Sequence, residues 1–373
     1  MNTFSDIGVR KDFVKGLKEL GIVNPTPIQQ EVIPVLLEST TDLVGLAQTG
    51  TGKTAAYGLP VLHQVNPAQA HVQALILAPT RELVQQIQKQ LFRYTKYVEE
   101  SIFAEGVYGG EKIDLQIKRL KRPTQIIVAT PGRLIDLLDK KAVDLTHIKT
   151  VVLDEADEML SMGFQKELNT ILDYTNKGKR NTWLFSATMP DAIKQIINQY
   201  MRKDAAHIEV NKHAQVNENI SHQYVVTSIP DKVNTLIRIL ERFDEERGIV
   251  FCRTKAGTQQ LAKTLREEGF AVGALEGDMQ QKERDKVMRA FKNESLNIMI
   301  STDVSARGID VNDLAFIVHH QLPEQLEYYT HRSGRTARAG KSGISIALVI
   351  PSEIQRVREI EKALDIRMKE VVL

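Results

Sequence analysis

Leu43-Val44-Gly45-Leu46-Ala47-Gln48-Thr49-Gly50-Thr51-Gly52-Lys53-Thr54 carries a short apolar strand into a glycine-punctuated turn and then into a segment of helical period that begins near Lys53. Strand, turn and helix in that order are what a phosphate-binding loop requires. Gly50 and Gly52 free the backbone to turn tightly, so that successive N–H groups of Gln48, Thr49, Gly50 and Thr51 and the helix N-terminus can face one anion. In such a loop Lys53 serves the β- and γ-phosphates of a nucleotide, and the Thr54 hydroxyl serves Mg²⁺. The strict pattern has Gly where Ala47 stands, so this turn alone leaves an ordinary glycine-rich connection open.

Working outward, the same strand-then-helix rhythm fills the chain. Apolar, β-branched runs at 43–46, 74–78, 125–129, 150–153, 182–186 and 207–210 alternate with longer segments of helical period. A second set at 223–227, 248–252, 271–275, 297–301, 315–319 and 345–349 repeats the theme. Runs of this kind belong to βαβ units with covered sheet faces, so the expected fold class is α/β with a mostly parallel sheet in each half. A chain of 373 residues exceeds one core at roughly 150 residues per domain. The polar stretch 211–219 lacks either period and suits a connector, which gives domains at 1–210 and 220–373. A last helix is expected at 352–364.

Composition narrows the function classes. The apolar fraction is 42% and the charged fraction 26%, ordinary for folded soluble chains. Net charge is +2, with acids and bases nearly balanced in each half. Any nucleic-acid site is therefore a local patch of Lys, Arg and backbone N–H groups, and not a polycationic arm. Cys252 is the only cysteine, so no intrachain disulfide forms, and its apolar neighbours mark it as a buried small hydrophobe. No export signal or membrane-spanning run is legible, which makes a cytoplasmic setting the expectation.

A second motif completes the first. Thr150-Val151-Val152-Leu153 runs directly into Asp154, Glu155 and Asp157. Alone, such acids read more readily as a solvated turn. With a phosphate loop upstream, Asp154 becomes the natural Mg²⁺ partner and Glu155 the group that positions and activates an attacking water.

Asp154-Glu155-Ala156-Asp157 together with that loop resembles the DEAD-box family of superfamily 2 RNA helicases, and the resemblance covers nearly the whole chain. It implies two tandem RecA-like domains joined by a short linker, ATP and Mg²⁺ as cofactors, RNA as partner, and a monomeric core without a C-terminal extension. Gly21 through Gln29, with Phe4 ahead, is similar to the family's adenine-reading motif, in which Gln29 bonds the base edge and Phe4 stacks on it. Ser186 and Thr188 match the hydroxyls that tie Asp157 to the relative position of the domains. His331 through Gly340 is similar to the family's arginine motif, with Arg335 and Arg338 as fingers toward the γ-phosphate, and with Ser333 and Ala337 where the family has Ile and Gly. Gly308 and Asp310 are expected near ATP; Asp303 and Arg307 read as either functional or structural.

The resemblance also implies an RNA track. In the first half it runs through Pro79, Thr80, Arg81, Gly109, Gly110, Thr130, Gly132 and Arg133. In the second it runs through Arg253, Thr254, Gly277, Gln281, Arg284 and Thr302, with Glu276 where the family often has His. These residues offer backbone N–H groups, hydroxyls and guanidinium groups and few base-reading side chains, so binding is expected to be independent of sequence. A DNA translocase, a non-catalytic RNA clamp and a metabolic kinase are the rivals; Gln29 with the 154–157 tetrad, the intact Lys53, Glu155, Arg335 and Arg338, and the whole second half speak against each in turn.

Overall fold

The computed structural model describes residues 2–48, 50–175, 180–210, 219–306, 311, 314–337 and 342–373, without the Glu327 side chain. The chain divides into two compact units, Met1–Asn211 and Lys212–Leu373. The expected connector, apart from Asn219, lies outside the described residues.

In the first unit the strands are β1 (Leu43–Leu46), β2 (Ala74–Leu77), β3 (Ala104–Val107), β4 (Ile126–Ala129), β5 (Thr150–Leu153), β6 (Asn181–Ser186) and β7 (Ala206–Glu209). The helices are α1 (Lys11–Glu19), α2 (Pro27–Glu38), α3 (Lys53–Gln64), α4 (Arg81–Tyr94), α5 (Ile113–Leu120), α6 (Pro131–Asp139), α7 (Ala156–Ser161), α8 (Gln165–Thr175) and α9 (Asp191–Tyr200). The strands form one sheet in the order β3-β4-β2-β5-β6-β1-β7, with every described pair parallel. Side chains alternate between its faces. Leu43, Ala74 and Ile76 join one apolar cluster with α1 to α4; Val44, Leu75 and Leu77 join another with α6 to α9.

The second unit repeats the plan with β8 (Ile220–Val226), β9 (Gly248–Phe251), β10 (Val272–Leu275), β11 (Ile298–Ser301), β12 (Phe316–His319), β13 (Gly343–Val349) and β14 (Lys369–Glu370). Its helices are α10 (Lys232–Glu241), α11 (Lys255–Glu267), α12 (Gln281–Lys292), α13 (Asp303–Ala306), α14 (Leu326–Ser333) and α15 (Ile354–Leu364). Strand order is β10-β11-β9-β12-β13-β8-β14, again parallel throughout. Val250, Ile298 and Ile300 face α10 and α11, while Ile249, Phe251 and Met299 face Phe291 of α12. Cys252 is buried, and burial pushes its thiol up to about 12.

Each unit is thus the helix-flanked parallel sheet expected of a RecA-like domain. Two strands are additions to the sequence expectation, β3 and β14, and the last helix begins at Ile354 after a 3-10 turn at Pro351–Glu353.

Candidate functional site

Parallel sheets present ligands at the C-terminal ends of their strands, where loops enter the following helices. In the first unit the candidate residues divide along that edge. The ends of β5, β6 and β1, which are neighbours, carry the nucleotide candidates; the ends of β2, β4 and β3, also neighbours, carry the RNA candidates.

At the end of β1 the backbone turns through Gly50 and Gly52 at φ 83° and 91°, in the left-handed region that glycine tolerates. Gly52 is the N-cap of α3, so the helix opens with no capping side chain. The Thr51 hydroxyl donates to the Gln48 carbonyl at 2.8 Å. Lys53 is buried and its ammonium donates to the Ala47 carbonyl at 2.8 Å, held back across the loop. Thr49 lies outside the described residues. Gln29 braces the loop from α2: its Nε2 donates to the Gly52 carbonyl at 3.0 Å while its Oε1 accepts the Thr26 N–H at 2.9 Å. Each end of that amide keeps one further hydrogen-bonding position. The nearby Thr26 hydroxyl oxygen is buried without a hydrogen-bond partner among the described residues. An uncapped helix start, two left-handed glycines and an orphaned hydroxyl fit a phosphate-bearing ligand.

β5 ends in Asp154, 3% exposed. Its Oδ1 accepts the Glu155 N–H at 3.0 Å and its Oδ2 accepts the Tyr57 hydroxyl at 2.8 Å. Burial pushes the Asp154 carboxyl above its ordinary range, opposed by the Lys53 ammonium and by these hydrogen bonds. Mg²⁺ characteristically takes one or two carboxylates, substrate phosphates and waters, so Asp154 with the Thr54 hydroxyl is a donor set that suits it. Glu155 is the N-cap of α7 and sits at φ 50°, ψ 52°. Asp157, one turn on, gathers the loop after β6: its Oδ2 accepts the Thr188 hydroxyl at 2.8 Å, the Thr188 N–H at 2.9 Å and the Ala187 N–H at 3.2 Å. Ser186 is fully buried and donates instead to the Thr188 carbonyl at 2.7 Å, so it shapes the loop without reaching the carboxylate.

The Phe4 ring is 1% exposed and belongs to the apolar core of the first unit.

The RNA candidates of this unit are wired together. Thr80 caps α4 by accepting the Leu83 N–H at 3.3 Å. Arg81, paired with Glu82 at 3.3 Å, lies so close to Gly110 that a Cβ there would collide with its guanidinium. Gly110 is also at φ 89°. Arg133, from the first turn of α6 after Thr130, Pro131 and Gly132, donates to the Glu111 carbonyl at 2.9 Å. Pro79, Thr80 and Arg81 after β2, Gly109 and Gly110 after β3, and Thr130, Gly132 and Arg133 after β4 therefore share one edge.

The second unit also carries candidates just after strand ends, at β9, β10 and β11. Thr254 caps α11 by accepting the Gly257 N–H at 3.1 Å, as Thr80 caps α4. Arg253 precedes it and Gly277 follows β10, while Gln281 opens α12 and donates to Asp285 at 2.6 Å. Arg284 is buried and donates to the Ser305 carbonyl at 2.8 Å, and the buried Thr302 hydroxyl donates to Ser305 Oγ at 3.0 Å. A buried guanidinium needs acceptors, and the end of the short α13 supplies one. Glu276 is likewise turned inward, accepting the Asp278 N–H at 2.6 Å and the Gln259 amide at 3.1 Å.

Asp303 holds Arg332 of α14 through two hydrogen bonds of 2.5 and 2.7 Å, which joins the start of α13 to the arginine motif. His331 and Arg332 lie in the last turn of α14, and Arg335 follows it, its N–H bonded to the Arg332 carbonyl at 3.1 Å. Arg307, Gly308, Asp310, Arg338 and Gly340 lie outside the described residues.

Sequence reasoning missed Tyr57 entirely. Tyrosine within the apolar stretch Ala55-Ala56-Tyr57-Gly58-Leu59 reads as core; only its spacing of four from Lys53, which sets both on one helix face, could have marked it.

Comparison with known proteins agrees with this geometry. The DEAD/DEAH box helicase family model matches residues 26–196, and the model of the helicase conserved C-terminal domain matches 231–340. The ATP-dependent RNA helicase CshA of Limosilactobacillus reuteri is 41% identical over 365 residues, covering 98% of this chain and 72% of that protein. The DEAD-box ATP-dependent RNA helicase CshA of Geobacillus kaustophilus is 39% identical over 99% of this chain and 78% of its own length. Among solved structures, S. cerevisiae Dbp5 bound to RNA and ADP BeF3 superposes with a TM-score of 0.91 at 31% identity, over 100% of this chain and 96% of that one. Mss116p bound to ssRNA and AMP-PNP gives 0.90 at 29% identity, over 100% and 80%. With two helicase motif sets carried on two parallel sheets and near-full-length relatives of this identity, the chain belongs to the DEAD-box family of ATP-dependent RNA helicases.

Proposed function

We propose that this protein hydrolyses ATP to ADP and phosphate when RNA is bound, and uses the cycle for local, non-processive opening of RNA duplexes or remodelling of RNA–protein assemblies. The observation that carries this reading is the division of strand ends in the first unit. Phosphate loop, Asp154 and Asp157 occupy β1, β5 and β6, while a row of hydroxyls, glycines and arginines occupies β2, β4 and β3 beside them.

ATP is held by the loop 47–54, with Lys53 released from the Ala47 carbonyl to the phosphates. Gln29 reads adenine through the acceptor and donor positions that its bonds to Thr26 and Gly52 leave over, the pair that the N6 and N7 edge requires. Asp154 and Thr54 hold Mg²⁺, which when bound neutralises phosphate charge. Glu155 orients and deprotonates the attacking water. Arg335 and Arg338 supply positive charge to the γ-phosphate as it leaves, so hydrolysis draws on both units.

RNA is bound through Pro79, Thr80, Arg81, Gly109, Gly110, Thr130, Gly132 and Arg133 in the first unit and through Arg253, Thr254, Gly277 and Gln281 in the second. These groups address sugar and phosphate, so affinity is independent of sequence and falls steeply with salt. The structures of Dbp5 with RNA and ADP BeF3 and of Mss116p with ssRNA and AMP-PNP support this reading. We take the protein to work as a monomer in the cytoplasm; among the described residues no helix is long and apolar enough to cross a membrane.

Phosphate release with and without RNA, and with single-stranded DNA as control, tests the proposal. RNA is expected to stimulate the wild type strongly and DNA weakly. Arg335→Ala should lower the RNA-stimulated rate by roughly 10³- to 10⁵-fold with little loss of ATP binding. Equal stimulation by DNA, or equal losses of binding and turnover in the variant, contradicts it.

A further inference from the structure

Tyr57 stands one helical turn beyond Lys53 on α3, and its side chain is fully buried. Its ring packs against Phe185 with centroids 5.2 Å apart, a contact that phenylalanine would make equally well. A buried phenol calls for more than packing, because its hydroxyl must find a partner when it leaves water. That partner is Asp154, whose Oδ2 accepts the bond at 2.8 Å.

Asp154 is one of the residues proposed above to hold the divalent cation. A carboxylate on a strand end can rotate about its terminal bond, and rotation decides which lone pairs face the cation. Here both oxygens are anchored, Oδ1 by the Glu155 N–H at 3.0 Å and Oδ2 by the phenol, and each keeps an acceptor direction free. The two anchors come from different elements, the turn after β5 and helix α3, so the carboxylate is fixed relative to the phosphate loop and not only to its own strand.

We propose that Tyr57 is a positioning residue for the cation: its hydroxyl orients the Asp154 carboxylate, so that metal affinity depends on a group that touches neither metal nor nucleotide. The inference rests on the proposed ATPase reading. Partners that orient a metal ligand typically affect metal affinity by roughly ten- to a hundredfold.

The test compares the full-length wild type with Tyr57→Phe, which deletes one oxygen and keeps the ring. Mn²⁺ replaces Mg²⁺, and the free-Mn²⁺ electron paramagnetic resonance signal is titrated in the presence of ADP; binding of a fluorescent ADP analogue is measured separately in EDTA. The variant should bind Mn²⁺ about tenfold more weakly and retain wild-type affinity for the analogue in EDTA, which also shows that it is folded. A second variant, Phe185→Leu, loosens the ring contact and leaves the hydroxyl, and should keep wild-type Mn²⁺ affinity. Unchanged Mn²⁺ affinity in Tyr57→Phe overturns the proposal, as does an equal loss of analogue binding in EDTA or an equal Mn²⁺ defect in Phe185→Leu. If the wild type itself shows no metal-dependent nucleotide binding, the ATPase reading fails instead.

Discussion

Glu155 occupies φ 50°, ψ 52°, a left-handed conformation that an L residue with a long side chain rarely adopts. Such a backbone costs on the order of 1–2 kcal/mol and persists only where the surroundings fix it. The fixing is visible: the Glu155 N–H bonds to Asp154 Oδ1 on one side, and Asp157 is clamped by the loop after β6 on the other. Chain direction therefore changes within one residue, at the position expected to activate water. Glu155→Gln keeps shape and backbone strain and removes only the proton acceptor. The variant should bind ATP and RNA as the wild type does while losing turnover by roughly 10²- to 10⁴-fold; single-turnover hydrolysis at the wild-type rate would show that another group activates the water. At this scale the sequence is a good guide to acids, glycines and the phosphate-loop lysine, because their chemistry is unusual wherever they stand. It is a poor guide to the Tyr57–Asp154 bond and to the burial of Phe4 and Arg284, which depend on which way a side chain turns from its helix or loop, a matter decided by tertiary neighbours.

β3 shows the same limit one level up. Ala104-Glu105-Gly106-Val107 contains a charge and a glycine and forms no apolar run, because as the outermost strand it pairs only with β4 and is half covered. β14 is two exposed residues long. The interior strands were legible because both of their faces are buried, which demands continuous β-branched sequence. Yet β3 positions Gly109 and Gly110, so the element least visible in the sequence supports part of the RNA track. Gly110 links it to its neighbours: at φ 89°, with Arg81 packed where a Cβ would go, it permits the turn and the approach of the arginine at once. Gly110→Ala should strain the turn and displace Arg81. Expected results are a loss of roughly 1–2 kcal/mol in unfolding free energy and a several-fold weaker affinity for RNA, with ATP binding in the absence of RNA unaffected. Denaturant unfolding together with fluorescence anisotropy on a labelled RNA checks both, and a variant that is destabilised yet binds RNA normally removes Gly110 from the track.

For the molecule as a whole, the question is whether one unit can turn over ATP by itself. Each unit has its own parallel sheet with apolar clusters on both faces, so a fragment of residues 1–210 retains a complete core. It also retains the phosphate loop, Gln29, Asp154, Glu155 and Thr188, the first unit's proposed share of the site for ATP and the water. Arg335 and Arg338 are on the rest of the chain. A site complete for binding and lacking its arginines should bind ATP with an affinity within a few-fold of the full chain and hydrolyse it roughly 10³- to 10⁵-fold more slowly than the RNA-stimulated full chain. RNA should leave the fragment's rate unchanged even where it still binds, since the fragment has no second set of groups for RNA to recruit. Adding the fragment 219–373 in trans should restore RNA-stimulated hydrolysis only at high concentration, because the covalent connection sets a local concentration on the order of millimolar that free fragments do not reach. The decisive measurement is phosphate release by the first fragment alone, across a range of RNA concentrations. A rate equal to that of the full chain would mean that the γ-phosphate is stabilised from within the first unit, and the arginines of the second would need another purpose.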